Sequence, residues 1–287
     1  MSLPIDGLQL LLVALLALSV GSFLNVLIAR LPVMLSQRWQ HEAQQTLQLP
    51  LSSTSGFNLC TPRSQCPHCQ VSIAWHDNLP LLGYLKRRGR CASCQKRISL
   101  QYPLIEAASV FLTLWIVWHQ GLDAQSLILI GACLMLLTLA VIDLRTFLLP
   151  DVLTLPLLWV GLLYQLFWQP DRLADAVMGA IAGYMTLWSF YWLFRLITGR
   201  EGMGRGDFKL LAALGAWCGW QALPLILMLS ATTGALVGIV LQLTVSRLRG
   251  APIPFGPFLG TAGMLILLGG DPLMQGYHAI IAFQAMP

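Results

Sequence analysis

Charged side chains are scarce in this sequence. Asp, Glu, Lys and Arg make up only 10% of the 287 residues, whereas 56% are hydrophobic, and the mean hydropathy is +0.70. A soluble domain typically carries about 25% charged residues. The shortage of charge therefore excludes an ordinary soluble domain and indicates a polytopic membrane protein.

Basic residues are also missing ahead of the first apolar run, 8–29. This run resembles the apolar part of a signal peptide, with Ala17-Leu18-Ser19 as the cleavage site. A signal peptide, however, opens with a positively charged region, and here that region carries Asp6. We therefore expect the run to be retained as the first membrane span.

Long apolar runs fill most of the chain, and a helix needs about 20 such residues to cross the hydrocarbon core. The sixth and eighth runs are short, so seven spans remain an alternative to eight. We predict an all-α polytopic protein with a first transmembrane helix (1–30), a cytoplasmic domain (31–102) and a multi-helix membrane core (103–287). The candidate spans are 8–29, 103–119, 126–143, 152–168, 174–197, 208–221, 223–245 and 257–270.

The basic residues are unevenly distributed. Alternate loops hold 16 of the 17, and only Arg172 falls on the opposite side. Cytoplasmic loops are the ones enriched in Lys and Arg. The pattern predicts that these loops are cytoplasmic and that both termini are periplasmic. It also accounts for the net charge of +5 without a nucleic-acid partner.

Glycines recur four residues apart in several spans, and such pairs let membrane helices approach closely. Glycine is also simply common in membrane helices, so any one pair is weak support for a contact. The pairs are Gly179/Gly183, Gly215/Gly219, Gly234/Gly238 and Gly256/Gly260.

Four cysteines form two C-x2-C pairs in the longest loop: Cys66/Cys69 and Cys91/Cys94, 21 residues apart. Four thiolates at such spacing predict a structural zinc site, which leaves no open position for catalysis. Two disulfides or free thiols are the alternative, which a reducing cytoplasm disfavours. For the first half of the loop, 34–59, we expect a short interfacial helix or irregular chain.

Four of the twelve acidic residues remain once those assigned to the outer loops and ends and to the cytoplasmic loops are set aside. Asp143 ends the apolar run LMLLTLAVID, and an acid inside a membrane is a functional candidate by default, although it could instead snorkel to the surface near Arg145. Asp151 has the position of a helix N-cap. Glu106 is expected in the first turn of its helix, where a negative charge suits the helix dipole.

Asp207 opens the sixth predicted span, and the predicted topology brings it to the same face and depth as Asp143. Two neighbouring carboxyl groups share one proton, which is the working unit of an aspartic protease. Gly204 and Gly206 would allow the backbone to approach a partner helix and a substrate. With Lys209, they make up the predicted supporting loop of the active site.

These residues resemble motifs of the type IV prepilin peptidases, also called prepilin leader peptidase/N-methyltransferases. The resemblance covers about residues 21–220, and GxGD alone would be a weak signal. The matching segments are GSFLNVLIARLP (21–32), RISLQYPLIE (97–106), IDLRTFLLPD (142–151) and GMGRGDFKL (202–210), which contains GxGD at 204–207. The tetracysteine pattern resembles that of the longer, zinc-bearing members.

The resemblance implies an enzyme of the bacterial inner membrane. Its members cleave the basic leader of type IV prepilins and type II secretion pseudopilins at the cytoplasmic face, and many then methylate the new N-terminus with S-adenosylmethionine. The family's catalytic aspartates correspond to Asp143 and Asp207, and its zinc ligands to Cys66, Cys69, Cys91 and Cys94. Because the sequence has no glycine-rich nucleotide loop of the soluble methyltransferase kind, methyl transfer follows from resemblance alone.

Two other classes of protein remain open at this stage. A proton-coupled transporter also uses paired intramembrane acids, but it tends to place them near the midplane within inverted repeats, which this sequence lacks. A non-catalytic assembly factor of a pilus or secretion system would depend on the tetracysteine loop and tolerate loss of both aspartates.

Overall fold

The computed structural model describes residues 6–49, 56–200, 202–244 and 252–284, with side chains described as far as residue 270. Over these residues the protein is helical, with two isolated β-bridges and no strand. Its helices are α1 (Gly7–Thr46), α2 (Leu82–Lys86), α3 (Gln101–Gln120), α4 (Ala124–Thr146), α5 (Asp151–Trp168), α6 (Leu173–Thr198), α7 (Arg205–Cys218), α8 (Leu223–Thr244) and α9 (Gly256–Gln284).

All eight predicted spans correspond to helices, and the all-α membrane fold is confirmed. Six helices within the described residues are long and apolar enough to cross a membrane: α1, α3, α4, α5, α6 and α8. The two spans predicted to be short are α7, with 14 residues, and the first part of α9, which is kinked at Gly270. The predicted cytoplasmic residues Glu201, Arg247 and Arg249 lie outside the described residues, as do both extreme termini.

The chain divides into two compact units, Met1–Ile130 and Gly131–Pro287. In the first unit, α1 packs against α3. Gly21 makes their close approach possible, because a Cβ there would lie 2.9 Å from the Cα of Glu106. The buried Asn25 side chain adds a hydrogen bond to the carbonyl oxygen of Tyr102 (3.1 Å).

Helix α1 does not end near residue 30, where the sequence predicted the end of the first span. It continues without a break to Thr46, so the first half of the following loop is mostly an extension of the first span. The expected short interfacial helix or irregular chain is therefore wrong for residues 34–46. The extension SQRWQHEAQQT contains four Gln together with one Arg, one Glu and one Ala, all of which favour helix. An Arg38–Glu42 ion pair joins successive turns.

Helix α7 lies at the centre of the second unit, where it packs against α5, α6 and α9. Nearly every residue from Asp207 to Trp217 is buried. Its contact with α6 is backbone to backbone: a Cβ added to Gly179 or Gly215 would strike the carbonyl oxygen of the other. The predicted role of these glycines in close helix packing is thus confirmed. A helix enclosed on several sides needs neither the length nor the lipid-facing surface of an isolated span.

Polar side chains join α5 to α7 inside this apolar unit. The buried Gln165 amide donates to the carbonyl oxygen of Trp217 (2.9 Å), and the Trp217 indole N–H donates to that of Leu157 (2.8 Å). Hydrogen bonds of this kind fix the register of α7, because a shift by one residue would leave buried polar groups unpaired.

Candidate active site and metal centre

Asp143 lies in the last turn of α4, where its side chain is buried with 5% of its surface exposed. One carboxylate oxygen, Oδ2, accepts a hydrogen bond of 3.0 Å from the backbone N–H of Gly256, the first residue of α9. The side chain therefore points into the second unit, which disagrees with the alternative that it snorkels to the surface beside Arg145.

Asp207 occupies the third position of α7, and Gly204 is the N-cap of that helix. Its side chain is 6% exposed, and no group among the described residues donates a hydrogen bond to its Oδ1. Gly206, the residue before Asp207, packs against Leu149, and Leu149 also lies beside Gly256, whose backbone N–H binds Asp143. The fold thus brings together the two carboxyl groups that the sequence singled out.

The side chain of Leu149 lies close to two glycines of this site, Gly206 and Gly256. A Cβ at Gly206 would lie 2.7 Å from the Leu149 Cβ, and one at Gly256 would lie 3.2 Å from its Cδ1. Gly206 and Gly256 are therefore required for close packing around Leu149. Gly204 is different, since its Cβ would make an ordinary contact of 3.6 Å with Asp207 Oδ2.

Lys209 forms an ion pair with Asp151, at 2.6 and 2.7 Å from its two carboxylate oxygens. The expectation that Asp151 is an N-cap is wrong, because Pro150 occupies that position and Asp151 is the first helical residue of α5. The pair joins the start of α5 to the first turns of α7, two residues beyond Asp207.

The four predicted zinc ligands, Cys66, Cys69, Cys91 and Cys94, lie together in the first unit with all sulfur atoms within 4.8 Å of one another. Both the Cys66–Cys94 and the Cys69–Cys91 sulfur distances are 3.8 Å. Tetrahedral zinc with bonds of about 2.3 Å requires sulfurs about 3.8 Å apart. The cluster therefore fits zinc, and the sulfurs are too far apart for disulfides, whose bond is about 2.0 Å.

Backbone N–H groups in the two knuckles favour the thiolate form of two of the four ligands, Cys66 and Cys91. Those of Cys69 and His68 lower the pKa of Cys66, and those of Cys94 and Ser93 lower the pKa of Cys91 to about 6. Thiolates are the species that bind zinc.

A buried ion pair supports the segment between the knuckles. The Asp77 carboxylate accepts a hydrogen bond from Arg87 and lies 3.2 Å from Lys86. The hydrogen bond to Arg87, with help from Lys86, lowers the pKa of Asp77 to about 2. Lys86 and Arg87 thus neutralise a buried carboxylate, a role that the sequence did not reveal.

Two further residues of the first unit were missed or only partly interpreted from the sequence. Arg30 donates to the carbonyl oxygens of Asn58, Leu59 and Pro62, and so holds the chain ahead of the first knuckle. Glu106 lies in the second turn of α3 rather than the first, and it accepts the Leu81 backbone N–H at 2.8 Å. Neither contact leaves a local signal in the sequence, because each joins segments far apart in the chain.

Comparisons with known proteins agree with this geometry. Residues 130–239 match the Type IV leader peptidase family, and residues 15–120 match the Bacterial Peptidase A24 N-terminal domain. Together the two matches include both aspartates and all four cysteines. No solved structure matches the chain.

Among curated proteins, several named prepilin leader peptidase/N-methyltransferase are similar over nearly the whole chain. One from Pseudomonas putida is 48% identical, and the alignment covers 95% of this chain and 94% of the relative. One from Aeromonas hydrophila is 49% identical, with 93% and 92% covered. One from Pseudomonas aeruginosa is 46% identical, with 94% and 93% covered. The chain therefore belongs to the type IV leader peptidase family.

Proposed function

We propose that this protein is a prepilin leader peptidase and N-methyltransferase of the bacterial inner membrane, and that Asp143 and Asp207 are its catalytic residues. The relatives support the paired activities, and they favour neither a transporter nor an assembly factor. The observation that supports the catalytic assignment is the burial of two acidic side chains in one unit, at helix ends that both pack around Leu149.

The proposed reaction is attack of water on the peptide bond after the leader. One aspartate, ionised, takes a proton from the water as general base, while the other, protonated, donates to the peptide carbonyl oxygen. The tetrahedral intermediate then collapses as the leaving amine is protonated. Two close carboxyl groups supply this combination because both cannot ionise at once. Asp207 Oδ1, which is buried and has no hydrogen-bond partner within the part of the chain that the structure describes, offers the free oxygen that this chemistry needs.

The proposed substrates are type IV prepilins or type II secretion pseudopilins, and the proposed site of cleavage is the cytoplasmic face. The distribution of basic residues supports this orientation, with the end of α4 and the start of α7 on the cytoplasmic side. A prepilin spans the membrane once, with its basic leader in the cytoplasm, so the leader would lie at the same face as the carboxyl pair.

We assign the zinc to a structural role. Four cysteine ligands fill a tetrahedral ion, so that water or substrate has no position on it. Zinc would hold the two knuckles together, while Arg30 and the Asp77 ion pair fix the surrounding chain. S-Adenosylmethionine is the proposed methyl donor for the new N-terminus.

The test measures prepilin cleavage and methylation by purified protein, with product masses as the readout. Asp143→Asn and Asp207→Asn should each lower the cleavage rate about 10²- to 10⁴-fold, the usual contribution of a general acid or base. Both variants should still methylate a pilin supplied without its leader, since that step does not use the aspartate pair.

Asp171→Asn is the matched control, because Asp171 is an exposed acid in the turn after α5, at the opposite end of that helix from Asp151. It should cleave like the wild type. Full cleavage by either active-site variant would contradict the catalytic assignment.

A further inference from the structure

The first residue of α9 makes a contact with the proposed active site that its place in a glycine pair did not predict. Gly256 is buried, and its backbone N–H donates to Asp143 Oδ2 at 3.0 Å. Beyond the region that resembles the known motifs, the sequence offered only apolar character. The hydrogen bond shows that this region reaches the carboxyl pair.

The amide of Gly256 is suited to hold a carboxylate. The first N–H groups of a helix have no partner within the helix, and they lie at its partially positive end. Asp143 supplies an acceptor for one of them. A hydrogen bond to an ionised acceptor is stronger and shorter than one between neutral groups, so it restricts rotation of the Asp143 side chain.

The lack of a side chain at residue 256 is as important as the amide. A Cβ there would lie 2.6 Å from Asp143 Oδ2 and 3.1 Å from its Cγ. The carboxyl group is the movable end of a side chain, whereas the α9 backbone is fixed by its helix. An added methyl group would therefore displace the carboxyl group and break the hydrogen bond.

We propose that Gly256 is a positioning residue for the peptidase reaction. Its backbone N–H and the absence of a Cβ set the orientation of the Asp143 carboxyl group toward Asp207. Helix α9 is then a third element of the active site, alongside α4 and α7. This inference rests on the proposed function, because it concerns the same carboxyl pair.

Three glycines of α9 provide a matched series of alanine substitutions. At Gly256 the new Cβ would meet Asp143. At Gly260 it would meet nothing closer than 3.6 Å, which is ordinary contact. At Gly263 it would strike the side chain of Leu214, well away from the carboxyl pair in sequence and in the helix. The series separates a change at Asp143 from a change in helix packing.

The experiment measures kcat and KM for prepilin cleavage and, on the same preparations, methylation of a pilin supplied without its leader. Methylation reports the amount of folded enzyme. Gly256→Ala should lower the kcat for cleavage about 100-fold relative to methylation, the loss expected when a reacting group moves by about 1 Å. KM should be unchanged, since the substrate contacts are intact.

Gly260→Ala should behave like the wild type, and Gly263→Ala should lower both activities together if it lowers either. The inference is overturned if Gly256→Ala keeps the wild-type ratio of cleavage to methylation, or loses both activities in parallel as a packing defect would. Asp143→Asn is measured alongside. If that variant still cleaves, the proposed function itself fails and the inference falls with it. If it is inactive while Gly256→Ala is fully active, only the inference fails.

Discussion

At the scale of single residues, Gly204 and Gly206 have different roles although both belong to the same GxGD motif. A methyl group at Gly206 would collide with the Leu149 Cβ, which is attached directly to the backbone and cannot rotate away. At Gly204 the same group makes only ordinary contact, and the backbone angles there, φ −72° and ψ 142°, suit any residue.

Gly206→Ala should therefore shift the first turn of α7, which carries Asp207, and lower the rate of prepilin cleavage at least about tenfold. Even small displacements of reacting groups can lower an enzyme's rate by more than this. Gly204→Ala should stay near wild-type activity. Initial rates of leader removal by the two purified variants check this, and equal losses would show that the contact with Leu149 is unimportant.

The two aspartates that the structure buries in the second unit could be picked out from sequence because acids are rare in an apolar chain. The contacts that position them could not. Asp151 was interpreted as an N-cap, yet Pro150 takes that place and Asp151 pairs with Lys209, 58 residues along the chain. Gly256 was interpreted only as one of a glycine pair that packs helices, although the surrounding Pro-rich segment PIPFGP marks a chain that enters a helix abruptly.

At the scale of helices, the close contact between α6 and α7 depends on Gly179 and Gly215. Here the atoms that a Cβ would meet are backbone carbonyl oxygens, which move only if a helix moves. Gly131, in contrast, has nothing within 4 Å of its Cβ position.

Gly215→Ala should therefore destabilise the protein by about 1–3 kcal/mol, the usual cost of overpacking. Gly131→Ala, a substitution of the same kind in another helix of this unit, should not lower the melting temperature in detergent, because alanine favours helix over glycine. Thermal unfolding of both variants followed by circular dichroism tests the difference, and an unchanged melting temperature for Gly215→Ala would mean that the helices can separate at little cost.

Hydropathy located the helices well because a spanning helix and an apolar run have nearly the same bounds, as 152–168 and α5 show. Hydropathy did not predict the bounds or length of a helix whose residues do not face lipid. Helix α1 continues to Thr46 through polar residues, and hydropathy alone gives no sign of its end. Helix α7 is short because protein rather than lipid surrounds it, and sequence alone cannot say what an apolar face touches.

At the scale of the whole molecule, the proposed orientation depends on charge. With 16 of 17 basic residues in alternate loops, the longest loop, its zinc cluster and the carboxyl pair are all assigned to the cytoplasmic side. Cys60 provides a direct test, since it lies in that loop and is exposed, whereas Cys133 is buried in α4. The four cluster cysteines would be protected by zinc.

Because Cys218, at the end of α7, is partly exposed, the test uses the Cys218→Ser variant. A membrane-impermeant maleimide should label this variant in inside-out vesicles of the inner membrane and leave it unlabelled in right-side-out vesicles. Cys60→Ser should remove most of the labelling, which confirms that the signal comes from this position. Labelling of Cys60 in right-side-out vesicles would place the loop in the periplasm, where the basic leader of a prepilin could not meet the aspartates. The proposed substrate would then be wrong even if the two carboxyl groups proved to be catalytic, because the reaction needs the scissile bond and the carboxyl pair on one side of the membrane.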